Sequence, residues 1–273
     1  MAHIELAPIR VDAERARAFV LARATAREKA RLQGIMGTSG PDRAVVKEIE
    51  ALQNADGGFP AQGTPGGPSS VDATCFLLHQ LKDMPPLPGS PMASRAIAYL
   101  RRVQLAGGSW QESPEAAALA GPWARPDNPA AAAYLTALAT YHILMLEPEH
   151  SDPLRRAMAW LRRDLAGDRG PLPVQTLSLT WGIACRMLGQ EAAESRWCFQ
   201  QLSAAHMSPD ELVWFLLAGL EAGAGGRYLL PLSERLAVLG AMQGEDGAWP
   251  GEEGLALEAT LTALRVFRGY GVI

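Results

Sequence analysis

One short turn recurs along this chain, and it limits the fold more than any other feature. It reads Gln53-Asn54-Ala55-Asp56-Gly57-Gly58-Phe59, then Gln104…Gly108-Ser109-Trp110, then Gln243…Gly247-Ala248-Trp249. In each copy Gly follows Gln by four residues and an aromatic follows it by six. Each turn closes an amphipathic run and is followed by a more apolar one. A pattern of this kind, repeated at a distance, marks one supersecondary unit used several times.

The amphipathic halves are Val45–Gln53, Ala96–Gln104, Ala157–Leu165, Ser195–Ser203 and Arg235–Gln243. Their ends are spaced by 51, 61, 38 and 40 residues, which is a constant hairpin with loops of unequal length. The apolar halves are Ser69–Leu81, Asn128–Leu146, Val174–Leu188, Pro209–Glu221 and Gly254–Arg268. A helix apolar on every side is a buried helix, and one with a charged face is an outer helix. The expectation is an all-α protein built as an α/α toroid, with outer helices around inner ones. Residues 42–273 form the repeat domain. Residues 1–41 supply an arm over 1–10 and one helix from Val11 to about Gly34 that packs on the ring, so that the whole is one domain. Closure into a ring removes the need for the polar capping repeats that an open array requires.

Turn chemistry agrees. Glycine at the end of an outer helix takes the left-handed conformation that terminates it. The Gln amide has two donors and an acceptor for the free groups of a helix end. The aromatic covers the turn and seals the gap to the next hairpin.

Composition narrows the function. A net charge of −4 offers no clustered basic surface, so nucleic acid is not an expected partner. Cys75, Cys185 and Cys198 lie in apolar helical runs and read as free thiols of a reducing compartment. Residues Met1-Ala2-His3-Ile4-Glu5 lack the basic and apolar parts of a signal peptide, and no apolar run is long enough to span a bilayer. The expected location is cytoplasmic.

The Gln-x-x-x-Gly-x-Trp turn before an apolar helix resembles the repeat of the terpenoid-cyclase and protein-prenyltransferase superfamily. That superfamily includes squalene–hopene cyclases, class II diterpene cyclases and prenyltransferase β subunits. The resemblance covers residues 45 to 273 and implies the toroid fold. In class II cyclases an Asp-x-Asp-Asp-Thr-Ala segment opens an inner helix, and its middle Asp protonates an alkene or epoxide. Ser70-Val71-Asp72-Ala73-Thr74-Cys75 is similar in register, with Asp72 at the middle Asp and Ser70 and Ala73 in place of the flanking acids. The prenyltransferase zinc ligands are replaced: Thr74 stands where Cys is required, and Glu258-Ala259-Thr260 where His is required. The Asp-rich magnesium motifs of class I synthases are also missing. Neither a metal nor another cofactor is expected.

Aligning Thr74-x-x-x-Leu78 with Thr260-x-x-x-Leu264 sets Asp72 opposite Glu258 as candidate catalytic carboxylates. Asn128, Gln175, Asp210 and Glu211 open the other apolar helices and complete a polar crown. Phe76, Tyr134, Trp181, Trp214, Phe215, Tyr141 and His142 are expected to line an apolar bowl beneath it. Trp123 sits in a long Pro/Gly/Ala insert, Gly108–Pro129, read as a lid. Each has a plainer reading: carboxylates in a first helical turn cap free N–H groups, the aromatics and His79 and His142 are core residues, and the pairs Arg101-Arg102, Arg155-Arg156 and Arg162-Arg163 are solvated. The expected activity is metal-free cyclisation or isomerisation of a small apolar, isoprenoid-like substrate with Asp72 as general acid. The alternatives are a non-catalytic toroid that binds a hydrophobic ligand or partner, and a biosynthetic cyclase acting on a non-terpenoid chain.

Overall fold

A computed structural model of the chain describes residues 9–147, 149, 151–165, 172–251 and 255–273. The expected arm therefore lies outside the described residues save for Ile9 and Arg10, as do Gly254 and the turn that follows Leu165. Among the described residues the protein is all-α. Its helices are α1 (Ala13–Arg23), α2 (Ala26–Met36), α3 (Arg43–Leu52), α4 (Val71–Lys82), α5 (Pro91–Val103), the single turn α6 (Pro114–Ala117), α7 (Ala131–Leu146), α8 (Asp152–Leu165), α9 (Val174–Leu188), α10 (Ala193–Ala204), α11 (Pro209–Ala222), α12 (Leu229–Ala241) and α13 (Ala256–Gly269). One small ribbon pairs Phe59–Pro60 antiparallel to Ser69–Ser70. No helix among the described residues is long and apolar enough to cross a membrane.

The single helix expected from Val11 to Gly34 is two. Ala24 is extended, with ψ of 140°. Thr25 and Glu28 then form a capping box, in which the Thr25 N–H donates to Glu28 Oε2 at 2.7 Å. The Thr-x-x-Glu spacing is a helix-start signal that overrides the continuous apolar pattern. The N-terminal segment is thus two helices that pack on each other.

The two kinds of helix separate by burial. α3 buries only Val45 and Ile49, whereas α7 buries twelve of its side chains. The buried helices touch in sequence: α4 packs on α7, α7 on α9, α9 on α11, α11 on α13 and α13 on α2. Arg31 of α2 reaches Asp83, directly after α4, at 2.9 Å.

The recurring turn works between hairpins rather than within one. Gln53 Nε2 donates to Gly57 O at 2.8 Å and to Met92 O, in the first turn of α5, at 3.0 Å. Gln104 Nε2 donates to Gly108 O at 3.0 Å and to Pro153 O of α8 at 2.9 Å. Gln243 Nε2 donates to Gly247 O at 3.0 Å and to Asp12 O, before α1, at 3.0 Å. That last clamp joins residues 231 apart, so the final turn holds the first helix.

An arginine three residues beyond the second acceptor completes each clamp. Arg95 donates to Gln53 Oε1 at 3.0 Å, Arg156 to Gln104 Oε1 at 2.6 Å, and Arg15 to Glu245 O at 3.0 Å. Of the paired arginines, all but half-buried Arg101 are exposed, as expected of solvated side chains, and each also has a partner. Arg102 and Arg163 donate to the turn carbonyls of Asp56 and Gly107 at 2.7 and 3.3 Å. Arg101, Arg155 and Arg162 pair with Glu147, Asp152 and Glu194. At the turn after α10, which lacks the Gln, Arg235 donates to Ser203 O at 2.9 Å.

The aromatic is tied on both sides. The indole N–H groups of Trp110 and Trp249 donate to Leu100 O and Leu239 O, each at 2.7 Å. The backbone N–H groups of Phe59, Trp110 and Trp249 donate to Oγ1 of Thr74, Thr136 and Thr260 at 2.9, 3.1 and 3.1 Å. Each turn is thereby fastened to the buried helix that follows it.

Glycine in the clamp is required twice over. Gly247 has φ of +90°, and a Cβ there would lie 2.4 Å from the Arg15 carbonyl carbon. Gly63, with φ of +66°, has nothing within 4 Å of such a Cβ. Both Gly→Ala changes carry the left-handed strain of about 1–2 kcal/mol; only Gly247→Ala adds an overlap costing about 1–3 kcal/mol. Urea unfolding is expected to show Gly247→Ala destabilised beyond Gly63→Ala by that margin. Equal losses would mean that the first and last hairpins are not clamped there.

Candidate active site at the start of helix α4

Ser70 leaves the small ribbon and caps α4. Its Oγ accepts the Ala73 N–H at 3.0 Å and donates to Glu112 Oε1 at 2.8 Å. Glu112 also accepts the N–H groups of Val71 and Asp72 at 2.9 and 2.8 Å. The three free N–H groups of the first turn are thus taken by Ser70 and Glu112, and the capping role weighed for Asp72 does not hold.

Asp72 has other partners. Its Oδ1 accepts from the Tyr134 hydroxyl of α7 at 3.1 Å, and its Oδ2 from the indole N–H of Trp123 at 3.0 Å. Trp123 is 49% exposed, so the insert lies across the start of α4 with its indole edge turned inward. The insert is also held where Gln62 donates to Leu119 O at 2.9 Å. Burial pushes the Asp72 carboxyl above the usual range, and the bonds from Trp123 and Tyr134 pull it part of the way back. Burial likewise raises Glu112, against the three bonds it accepts, and the neighbouring Asp72 charge adds to the rise. A cavity of about 200 Å³ lined by Gln111, Glu112, Asn128 and Leu135, among others, lies on the Glu112 side; Asp72 is not in its lining.

Below Asp72 the same face of α4 carries Phe76, His79 and Asp83, at the spacing of successive helical turns. Phe76 is 43% exposed on an otherwise buried helix. Half-buried Trp214 of α11 lies 4.9 Å from the His79 ring. Phe76 and Trp214 are thus accessible aromatics on this side of the protein, whereas His79 is buried.

Much of the expected apolar bowl lies elsewhere. Trp181 and Phe215 are fully buried and pack on Phe199 and Tyr228, between the two layers. Their positions put them on the outward side of their helices, a distinction invisible in helices that are apolar all round. Tyr141 is buried beneath Lys82, whose Nζ is 5.0 Å from its ring. His142 is fully buried, with both nitrogens unpartnered. Gln175 is half-buried in the first turn of α9, apart from the Asp72 group. Of the crown, Glu211 is a cap, in a capping box with Ser208, and Asn128 Oδ1 accepts the Ala130 N–H before α7.

Glu258 is not a second acid opposite Asp72. It accepts two bonds from Arg31, at 2.5 and 2.7 Å. Burial favours its neutral form, but the Arg31 guanidinium outweighs burial and holds the carboxyl below its ordinary range. Arg31 belongs to a wider buried network that closes the lower end of this surface. Arg31 and Arg265 both reach Asp83, at 2.8 and 3.1 Å, Lys82 reaches Glu221 at 2.6 Å, and Arg265 pairs with Glu221. Burial works against the Glu221 carboxylate, yet Lys82 and Arg265 bring it down to about 2. Burial lowers Lys82 to about 8 despite Glu221. Burial, then the cations around them, holds His79 and His142 well below the usual histidine value, so both are neutral.

Sequence reasoning missed Glu112 and this network. Glu112 lies two residues past a clamp tryptophan, in an insert that carries no periodic pattern. The network had a faint signal: single charges late in apolar helices, Lys82, Glu221 and Arg265, which are rarely buried without partners. No His/Cys/Asp/Glu group that would hold a metal occurs among the described residues, and all three cysteines are free and buried. No protein-family model and no curated protein matches the chain.

The buried histidines set a pH dependence. Their folded-state values lie below the unfolded value of about 6.5, so the stability they contribute is complete above that value and is lost as pH falls through it. Each adds a slope of up to about 1.4 kcal/mol per pH unit. Melting temperature is expected to fall between about pH 7.5 and about pH 5.5, and His142→Asn to flatten that fall. A melting temperature constant over this window would show that the imidazoles are not held neutral.

Proposed function

We propose that the chain is an α/α toroid of six hairpins, similar in plan to the terpenoid-cyclase and prenyltransferase superfamily. We further propose that the face at the start of α4 is its active site. The order of contacts from α4 through α13 to α2 and the clamp from Gln243 to Asp12 support the closed arrangement. The activity we propose is metal-independent isomerisation or cyclisation of a small apolar, isoprenoid-like alkene, with Asp72 as general acid. One observation carries it: a carboxyl withdrawn from the helix-terminal donors, raised by burial, and met on each oxygen by a donor.

Those two donors suit proton release. While Asp72 is protonated, the Tyr134 hydroxyl can rotate to accept from it. As the proton leaves, charge develops on the carboxylate, and the Tyr134 O–H and Trp123 N–H are already aimed at it. Donors placed where charge appears lower the barrier more than they stabilise the ground state. The alkene π pair forms the new C–H bond, and the faces of Phe76 and Trp214 favour the resulting cation. Loss of a neighbouring proton to the carboxylate gives the rearranged alkene and restores the acid. From Asp72 to His79 the helix rises about 10 Å, which fits a short substrate.

A second reading has its own support. Both Asp72 oxygens are engaged and the lower end of the face is closed by ion pairs, as suits a toroid that binds an apolar ligand without turning it over, or that folds a non-terpenoid chain for cyclisation. The protein is to be incubated with linear isoprenoid alcohols and terminal epoxides of graded length, and products of unchanged mass sought by gas chromatography–mass spectrometry. Asp72→Asn is expected to keep its melting temperature and lose about 10²–10⁴ in turnover. Full turnover by the folded variant would end the acid role. Quenching of Trp214 fluorescence by a probe that is never converted would favour binding alone.

A further inference from the structure

The first-turn N–H groups of a helix are what ordinarily stabilise an anion at its start. In α4 none of them reaches Asp72. Glu112 holds those of Val71 and Asp72 together with the Ser70 hydroxyl, and Ser70 holds that of Ala73. Glu112 is 7% exposed, and its backbone is placed by the clamp, since Trp110 N, two residues earlier, donates to Thr136 Oγ1 at 3.1 Å. The same segment leads into the insert that carries Trp123. Glu112 thus comes with the fold to the one place where it competes with Asp72 for donors.

We propose that Glu112 is a positioning residue for Asp72: it occupies the donors that would otherwise hold an Asp72 carboxylate, sets a like charge beside it, and so keeps Asp72 a proton donor. The proposal rests on the acid reading of Asp72 and concerns the state of that carboxyl rather than the substrate.

The other titratable groups facing the pair are Cys75 of α4, Tyr99 of α5 and Tyr134 of α7. All three are raised, first by burial and then by the carboxylates, and stay neutral. Asp56 and Arg102 act on Tyr99, on its side of the pair. Burial, Trp123 and Tyr134 act on Asp72 itself, and the Asp72 charge in turn acts on Glu112. Two carboxyls this close titrate as a pair.

The test is a carboxyl ¹³C NMR titration of the full chain labelled at Asp and Glu, with Asp72→Asn used to assign the Asp72 resonance. In the unmodified protein the Asp72 curve is expected to show two inflections, with its main midpoint above the ordinary value of about 4. Glu112→Gln keeps the shape, removes the charge and cannot accept through its amide nitrogen. The Asp72 midpoint is then expected to fall by about one unit or more. Trp123→Phe, which removes a donor from Asp72, is expected to raise it. A single inflection near the ordinary value in the unmodified protein overturns the proposal. So does an unchanged midpoint in a Glu112→Gln protein of unaltered melting temperature. If Glu112→Gln does not fold, the curve of the unmodified protein decides alone. The titration needs no substrate, so its failure leaves the isoprenoid reading standing, whereas a Glu112-dependent midpoint in a protein that converts no probe removes that reading and keeps this one.

Discussion

A glutamine amide that satisfies two backbone carbonyls on different hairpins is the interaction on which the rest of this structure depends. Helix ends and loop turns leave carbonyls without donors, and leaving them unpaired when buried costs about 1–3 kcal/mol each. The Gln53, Gln104 and Gln243 amides answer one such carbonyl in their own turn and one at the start of the next polar-faced helix. Stacking of hairpins is therefore set by main-chain atoms and glycine contacts. The second anchor of each turn, from the aromatic N–H to Thr74, Thr136 or Thr260, brings three buried helices to a common level. Two residues before those threonines stand Asp72, Tyr134 and Glu258. The repeat thus makes these three equivalent positions, and the bond between Tyr134 and Asp72 follows from that equivalence.

A different physics operates in the ion-pair network that runs from the first turn of α13 to the ends of α4 and α11. Three cations, Arg31, Lys82 and Arg265, meet three anions, Asp83, Glu221 and Glu258. Removing such charges from water costs several kcal/mol per ion, and mutual attraction repays this only when each is well partnered. The partnering is uneven. Glu221 has two cations and stays ionised far into acid, whereas for Lys82 burial outweighs Glu221 and Asp83, with Arg265 competing, and its proton is held less firmly. Such a network contributes little net stability compared with the apolar contacts around it. It ties α2, α4, α11 and α13 together through side chains.

Legibility from sequence followed the range of the interaction. The hairpins were plain, because Gln, Gly and the aromatic keep fixed spacing and the two helix types differ in polarity. The break at Thr25 was legible in principle, since Thr25 and Glu28 lie three residues apart, but a run of apolar positions across it read as continuous. The side on which an apolar helix faces its neighbours was not legible: Trp214 and Phe215 are adjacent in sequence, yet one is half-buried beside His79 and the other is fully buried against Phe199. Glu112 was hidden for a further reason. It acts on α4 from about forty residues away, and nothing local distinguishes a carboxylate that will cap another helix from one that faces water.

As the proposed proton donor, Asp72 sits where such chemistry is hardest to arrange. The start of a helix favours anions, and an acid placed there is drawn toward its ionised form before any substrate arrives. The position is inherited from the repeat and cannot easily change. Withholding the helix donors is the remaining route, and Ser70 and Glu112 do this with ordinary capping bonds. What then faces Asp72 is a hydroxyl that can reverse its role and an indole that cannot. The indole is fixed as a donor and stabilises only the carboxylate, so its contribution grows as the proton departs. Its place on a surface insert means that the strength of this acid and the seating of the insert are two measures of one bond.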